Sequence, residues 1–420
     1  MSADSLARLS AELRAGATPP GVDVIKRNRA RVIARAGDAL LKVYLERPET
    51  AAREARALAR AHERGISVPD LLHSGADWTA TRWQDAARPA ARADLALLLR
   101  ALDDAHGRGM LHGDLHLENL LVRDGAVIFL DLQRARFLPW IPALLRRREL
   151  GFLAYSLREP LPAELAHARF WRDRRAWSHW RSRTRRCLRE SGSFRGFEHA
   201  GEAGFRRRDV DAEQVGTALE SLRDVTPLKA SRGGELYRTG SWVVKHFASE
   251  AGARRAWLGG NGLEARGVAT CTPLAWAGHW LVMADGGATL SDWVDGEFTK
   301  STEFERDELA RALGSLLARL HRRGIYHADL KTNNVVWRPG EEPRLLDYGR
   351  VRFGARVSRR RRVKNLAQLN AALPDLVPAR PRELALASYL AESETGDEPA
   401  ALRRDVIAAS VRRAHRWHGC

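Results

Sequence analysis

Residues 24–45 read VIKRNRARVIARAGDALLKVYL, short apolar runs broken by turn residues, and this pattern predicts three strands. The period then changes. In TAAREARALARAHERG (50–65) alanine and leucine recur at helical spacing, so a helix follows the strands. ISVPDLLHSG (66–75) continues as a strand and turn, a polar connection covers 84–92, and the leucines of ADLALLLRALDDAHGRG (93–109) mark a core helix. The same order returns in the second half. LKASRGGELYRTGSWVVKHF (228–247) predicts three strands, SEAGARRAWLGGNGLEARG (249–267) a helix, and residues 268–294 further strands. A polar insert, DGEFTKSTEFERDE, then precedes a second core helix at 309–324. The ends are helical: MSADSLARLSAEL is amphipathic, and residues 387–417 form helix with polar breaks.

Each core helix runs into a loop with the same chemistry. LHGDLHLENLLV (111–122) and IFLDLQRARF (128–137) carry His112, Asp114, Asn119 and Asp131; YHADLKTNNVVW (326–337) and LLDYGRVRF (345–353) carry His327, Asp329, Asn334 and Asp347. The acids are 17 residues apart in the first set (131 minus 114) and 18 in the second (347 minus 329). Phosphoryl transfer needs a carboxylate to orient the attacking hydroxyl, and a carboxamide with a second carboxylate to hold magnesium. Asp114 and Asp329 suit the first role; Asn119 with Asp131, and Asn334 with Asp347, suit the second. Lys331 is placed to neutralise a transferring phosphate, and His116 stands there in the first set. His112 reads as a residue that holds its loop.

Upstream, Lys42 on a strand and Glu54 on the next helix match the pair that clamps the phosphates of ATP. Lys245 takes the same place in the second half. Its glutamate partner is missing: Ala256 falls where Glu54 stands, which leaves Glu250 as the substitute. Gly233 and Gly234 before Lys245 suit either a phosphate-binding loop or a plain hairpin, whereas the first half offers only Gly37. Leu281–Ala284 is the expected hinge, with backbone for an adenine edge.

A chain of 420 residues with this internal repeat is expected to form two units, 1–190 and 215–420, joined by a glycine-rich linker at 191–214. The net charge of +18 is carried largely by arginine. Such a surface suits an anionic partner: a phosphorylated lipid or sugar, an anionic membrane surface, or nucleic acid. No recognition motif supports nucleic acid, and a basic amino-sugar acceptor would be repelled. ARFWRDRRAWSHWRSRTRRCLRE (168–190) places Phe170, Trp177, Trp180, Thr184 and Cys187 on one helical stripe among arginines. It reads either as a helix packed on its own lobe or as one lying at a lipid interface. VSRRRRVK (357–364) reads either as a solvated loop or as a contact for a phosphate-bearing acceptor. Cys187, Cys271 and Cys420 show neither zinc spacing nor a disulfide framework, which predicts a reducing cytoplasm, and neither a signal peptide nor a membrane-spanning run is seen.

With these residues in view, both halves resemble the lipopolysaccharide-core kinase family (Kdo and heptose kinases), a bacterial branch of the protein-kinase-like fold. The resemblance is carried by KVYL, REARAL, HGDLHLENLLV and FLDLQRAR in the first half, and by VVKHF, LEARGVATCTPLAW, YHADLKTNNVVW and LLDYGRVRF in the second. It implies an α+β fold of two tandem kinase-like units, each with a small antiparallel β-rich lobe and a larger helical lobe. It also implies an ATP- and magnesium-dependent kinase at the cytoplasmic face of the inner membrane, acting on a sugar hydroxyl of an anionic glycolipid or phosphosugar. The alternatives are a protein or other small-molecule acceptor, or a pseudokinase unit that regulates a partner.

Overall fold

Alternation along the second predicted strand sorts its side chains: Val32, Ala34 and Ala36 are buried and Arg31, Ile33 and Arg35 stand half out. The computed structural model describes residues 1–157 and 160–413. By packing, the chain divides into two units, Met1–Arg175 and Ala176–Cys420. The division falls before the expected boundaries at 190 and 215.

In the first unit, α1 (Ala3–Arg14), β1 (Val22–Arg27), β2 (Arg31–Ala36), β3 (Ala39–Tyr44), α2 (Glu49–Glu63), β4 (Leu71–Ser74) and β5 (Trp78–Arg82) follow the predicted order. The strands form one five-stranded sheet, β1-β2-β3-β5-β4, with every pairing antiparallel. Leu6 and Leu13 of α1 pack on Leu41, Val43 and Trp78. A second core forms around Leu98 and Leu102 of α3 (Leu95–Gly107) with Met110, Leu115, Leu120 and Phe129. Short strands β6 (Arg88–Pro89), β7 (Met110–Leu111), β8 (Leu120–Arg123), β9 (Ala126–Phe129) and β10 (Arg136–Phe137) frame the loops beside that core. Helix α4 (Ala143–Ser156) follows, and α5 (Arg169–Thr184) runs from the first unit into the second. On the stripe expected through 168–190, Thr184 and Cys187 are buried and Trp177 and Trp180 half-buried, while Phe170 is 56% exposed.

The expected linker is instead a hairpin. β11 (Phe194–His199) pairs with β12 (Glu202–Arg207) across a two-residue turn in which Ala200 and Gly201 both have positive φ, 51° and 80°. That is the turn geometry that matches strand twist. Phe194 is buried and meets Trp257 edge-on, ring centroids 5.8 Å apart. The glycines that suggested flexibility serve the turn and close strand approach. β12 then joins a seven-stranded sheet, β11-β12-β16-β17-β15-β14-β13. Its other members are β13 (Lys229–Ser231), β14 (Gly234–Thr239), β15 (Trp242–Phe247), β16 (Pro273–Ala277) and β17 (Trp280–Ala284). α6 (Ala212–Glu220) precedes them and α7 (Glu250–Ala265) lies between β15 and β16.

The helical part of the second unit holds α8 (Leu290–Gly296), α9 (Glu303–Arg322), α10 (Arg359–Ala372), α11 (Ala379–Glu392) and α12 (Pro399–Val411). α9 starts six residues earlier than the leucine pattern suggests, because Thr302 and Glu305 form a capping box inside the polar insert. Gly314 lets α9 and α11 approach closely: a Cβ there would lie 2.3 Å from the Ala385 carbonyl oxygen. The arginine run at 357–364 opens α10 rather than forming a loop. Arg362 forks onto the buried Asp397 at 2.8 and 2.9 Å, and Arg359 pairs with Asp405, whereas Arg360, Arg361 and Lys364 are exposed. Residues 414–417 of the expected terminal helix, and Cys420, lie outside the described residues. Among the described residues, no helix is long and apolar enough to cross a membrane.

Buried His321 on α9 faces the Tyr389 hydroxyl at 3.0 Å and Asn365 Oδ1 at 3.4 Å, and burial pulls its pKa down to about 3. The unfolded chain takes up this proton near pH 6.5, whereas the folded one resists it until about pH 3. The stability contributed by neutral His321 is therefore complete above pH 6.5 and is lost progressively below it. Acidifying from pH 7 to 5 is expected to remove about 2 kcal/mol through this group. Urea unfolding of the wild-type and His321→Gln chains at both pH values checks this, the variant losing that share of the slope.

Candidate active site

In the second unit two short strand pairs converge on the segments that hold Asp329 and Asp347. β18 (Ile325–His327) pairs with β21 (Val351–Phe353), and β19 (Val335–Val336) with β20 (Arg344–Leu345), which brings the segment after Asp329 beside the segment holding Asp347. The loop is then stitched from within. Asn334 Nδ2 donates to the Asp329 carbonyl oxygen at 2.8 Å, and the Leu346 amide donates to the Asn334 carbonyl at 2.9 Å. His327 is fully buried: the Asp329 amide approaches its Nδ1 at 3.3 Å, and its Nε2 lies 3.3 Å from the Leu346 carbonyl. Burial lowers its pKa, so the ring is a neutral brace. Asp347 sits in the left-handed region at φ 53°, a conformation that a non-glycine residue holds only when its surroundings impose it.

Four of the predicted side chains meet here in two pairs. Lys245 Nζ is 2.9 Å from Asp347 Oδ1, and Lys331 Nζ is 3.1 Å from Asp329 Oδ2. Burial alone would raise the Asp347 carboxyl, but Lys245 outweighs it and holds the group below the usual carboxylate range. Gly233 is at the tip of the β13/β14 hairpin, and Gly234 has φ 132° with its Cβ position only 1.9 Å from the His246 carbonyl oxygen. No side chain fits at Gly234 without moving backbone.

Two expectations about this cleft are corrected. Glu250 is exposed in the first turn of α7 and forms no ion pair with Lys245, whose partner is Asp347; Ala256 is buried where a glutamate was sought. Leu281–Ala284 offers no free backbone edge, because β17 is laddered to β15 on one side and β16 on the other. The chain leaves the sheet only at Asp285, whose amide donates to the Ser241 carbonyl at 3.0 Å.

α7 contributes by closeness rather than by charge. A Cβ on Gly259 would lie 2.2 Å from the Tyr348 carbonyl oxygen, and one on Gly260 would lie 2.9 Å from the Tyr348 ring. Buried Tyr348 is anchored through its hydroxyl to the Cys271 carbonyl oxygen. These glycines were missed from sequence; two adjacent glycines inside a helical pattern were the available signal. Gly259→Ala is expected to push the Asp347-Tyr348-Gly349 turn off its place and to reduce phosphate transfer by about 10²-fold with the fold retained. Steady-state rates alongside circular dichroism check this.

In the first unit, β3 and α2 bring Lys42 Nζ to 2.6 Å from Glu54 Oε1, and Glu54 also accepts from Thr79 Oγ1 at 3.2 Å and from the Tyr44 hydroxyl. Asn119 Nδ2 donates to the Asp114 carbonyl at 3.0 Å, and Asp131 is left-handed at φ 62°. His112 Nε2 lies 2.8 Å from the Leu130 carbonyl, and Nε2 of His116 lies 3.1 Å from the Asn119 amide nitrogen. Both acids are already engaged. Arg31 Nη1 reaches Asp131 Oδ1 at 3.0 Å and Oδ2 at 3.2 Å, with Lys42 a further 3.1 Å contact. Burial would raise the Asp131 carboxyl, but Lys42 and Arg31 hold it well below the ordinary range. Arg175 Nη2 lies 3.0 Å from Asp114 Oδ1, and Arg134 Nη1 lies 3.6 Å from Oδ2.

Magnesium asks for hard oxygen donors from one or two carboxylates, with water and phosphate completing the shell. No cluster of three or more His, Cys, Asp or Glu side chains is placed to hold a metal among the described residues. The second unit fits the milder requirement, with the backbone beside Asp347 bonded to Asn334 through the Leu346 amide and one lysine on the carboxylate. Asp131 in the first unit does not, since an arginine fork covers both of its oxygens.

No curated protein matches the chain significantly. Among solved structures, it is similar to a choline/ethanolamine kinase family protein from Mesorhizobium loti, with 18% identity, 41% of this chain and 79% of that chain covered, and a TM-score of 0.31. The model of the "Lipopolysaccharide kinase (Kdo/WaaP) family" matches residues 284–387. That segment takes in Asp329, Lys331, Asn334 and Asp347 and leaves Lys245 and the first unit outside. Residues 284–387 thus match the lipopolysaccharide kinase (Kdo/WaaP) family model, and that match supports a kinase, a phosphotransferase.

Proposed function

We propose that the second unit transfers the γ-phosphoryl group of ATP to a hydroxyl of a lipopolysaccharide-core sugar, Kdo or heptose. One observation carries the reading: Asp329, Asn334 and Asp347 are stitched into one loop system inside the segment that matches the kinase family. In this reading Asp329 orients the sugar hydroxyl and Lys331 neutralises the transferring phosphate. Asn334 and Asp347 would hold magnesium, which would supply positive charge to the nucleotide phosphates, and Lys245 with Gly233 and Gly234 would receive those phosphates. Exposed Arg360, Arg361 and Lys364 at the start of α10 suit an anionic glycolipid or phosphosugar acceptor. A basic surface of this kind also suits a cytoplasmic protein resting peripherally on an anionic inner membrane.

The first unit is read as a second copy of the architecture. Lys42 opposite Ile33, its ion pair with Glu54, the bond from Asn119 to the Asp114 carbonyl, and left-handed Asp131 support that reading. The test is direct. Purified chain with ATP, magnesium and dephosphorylated core oligosaccharide should add one phosphate per sugar by mass spectrometry. A chain that hydrolyses or binds ATP yet modifies neither Kdo nor heptose sinks the acceptor assignment.

A further inference from the structure

The register that sets Lys42 opposite Ile33 in the first unit sets Lys245 opposite Leu236 in the second. Two residues upstream of those partners stand Arg31 and Gly234. At Gly234 there is no side chain, and Asp347 is paired with Lys245. At Arg31 there is a guanidinium, and it closes on Asp131. Its Nη1 lies 3.0 and 3.2 Å from the two carboxylate oxygens, and its Nη2 lies 3.2 Å from Oδ2.

A carboxylate gripped by an arginine fork has its in-plane lone pairs committed. A divalent ion at the same oxygens would face the guanidinium and the Lys42 ammonium at short range, with little solvent to screen them. Arginine cannot relieve this by losing its proton. The second acid of the first unit is treated alike. Asp114 is held by Arg175, which itself lies over the Phe152 ring at 4.7 Å, whereas the carboxylate of the second unit's Asp329 pairs with Lys331, half exposed, among the described residues. Asn119 Nδ2 donates to the Asp114 carbonyl, as Asn334 does to that of Asp329, and lies in addition 3.1 Å from His116 Nε2.

We infer that the first unit is a metal-free cleft, in which the Arg31 guanidinium stands on Asp131 where a divalent ion would stand. The chain therefore loads a single magnesium–nucleotide, in the second unit, and transfers phosphate only there. This division of labour rests on the kinase reading of the second unit.

The test is a count of bound metal rather than of product. Electron paramagnetic resonance follows Mn²⁺ added to the full chain with a non-hydrolysable ATP analogue. One tight Mn²⁺ per chain is expected for the wild type, none for Asp347→Asn, and two for Arg31→Met. Arg31→Gly, which installs the residue found at this register in the second unit, repeats the gain if the methionine variant is poorly folded. Two ions in the wild type, one that survives Asp347→Asn, or no gain in either Arg31 variant would overturn the inference. Failure of the proposed acceptor chemistry is read separately, because a chain that binds one Mn²⁺ and phosphorylates no core sugar leaves the metal count unchanged.

Discussion

Asp329→Asn is expected to lower kcat for phosphate transfer by about 10²–10⁴-fold while KM for ATP stays nearly constant. The exchange keeps the shape of the side chain and removes the negative charge that, in the proposed reading, orients the attacking hydroxyl. It leaves the loop intact, because the atoms that bind Asn334 and His327 are the backbone carbonyl and amide of Asp329, not its carboxylate. The one ion pair lost is with Lys331 at 3.1 Å, between side chains 47% and 43% exposed, and such pairs add little to stability. A drop in rate without a drop in melting temperature is thus the expected signature. Single-turnover transfer from labelled ATP measures it, and a variant within threefold of wild type would remove Asp329 from the reaction.

The second large effect is on stability. Glu54→Ala is expected to destabilise the first unit by about 3–5 kcal/mol, since removing one member of a buried ion pair strands the other. Glu54 is 1% exposed and Lys42 8%. Burial works against the Lys42 ammonium, and Glu54 and Asp131 outweigh it, so its pKa lies above the ordinary lysine value. The substitution also leaves the Tyr44 hydroxyl and Thr79 Oγ1 without their acceptor. Asp131, already 3.1 Å from Lys42 Nζ, offsets the loss only in part, because its oxygens also serve Arg31. For a unit of this size the penalty corresponds to roughly 10 °C in melting temperature. Calorimetry of the full chain reads it as a downward shift of one transition, and Glu54→Gln, which keeps an acceptor, should fall between the two. An unshifted transition in Glu54→Ala would show that the buried network contributes no stability.

Much of the molecule is legible in local pattern. Alternation at 31–36, the helical period through 50–63 and the turn glycines define elements by short-range sterics and by one-sided burial, both of which are written in neighbouring residues. The two Asp, Asn, Asp sets are legible for the same reason: each loop's chemistry sits within about twenty residues. The start of α9 is legible as well, in the Thr302–Glu305 capping box, which lies upstream of the leucine period. The hairpin at 194–207 was misread because glycine marks a linker and a tight turn equally, and only pairing with β16 separates them.

What tertiary structure alone decided is which charges meet. Arg31 and Asp131 are 100 residues apart and Arg175 and Asp114 are 61 apart, so no spacing rule connects them. The same holds for Gly259, whose missing side chain matters only because the Tyr348 carbonyl arrives against it. The sequence by itself determined the elements and the chemical repertoire of the two loops. Whether each acid faces a lysine or is covered by an arginine fork depended on folding, because the energy of a buried charge is set by neighbours in space and not by neighbours in the chain.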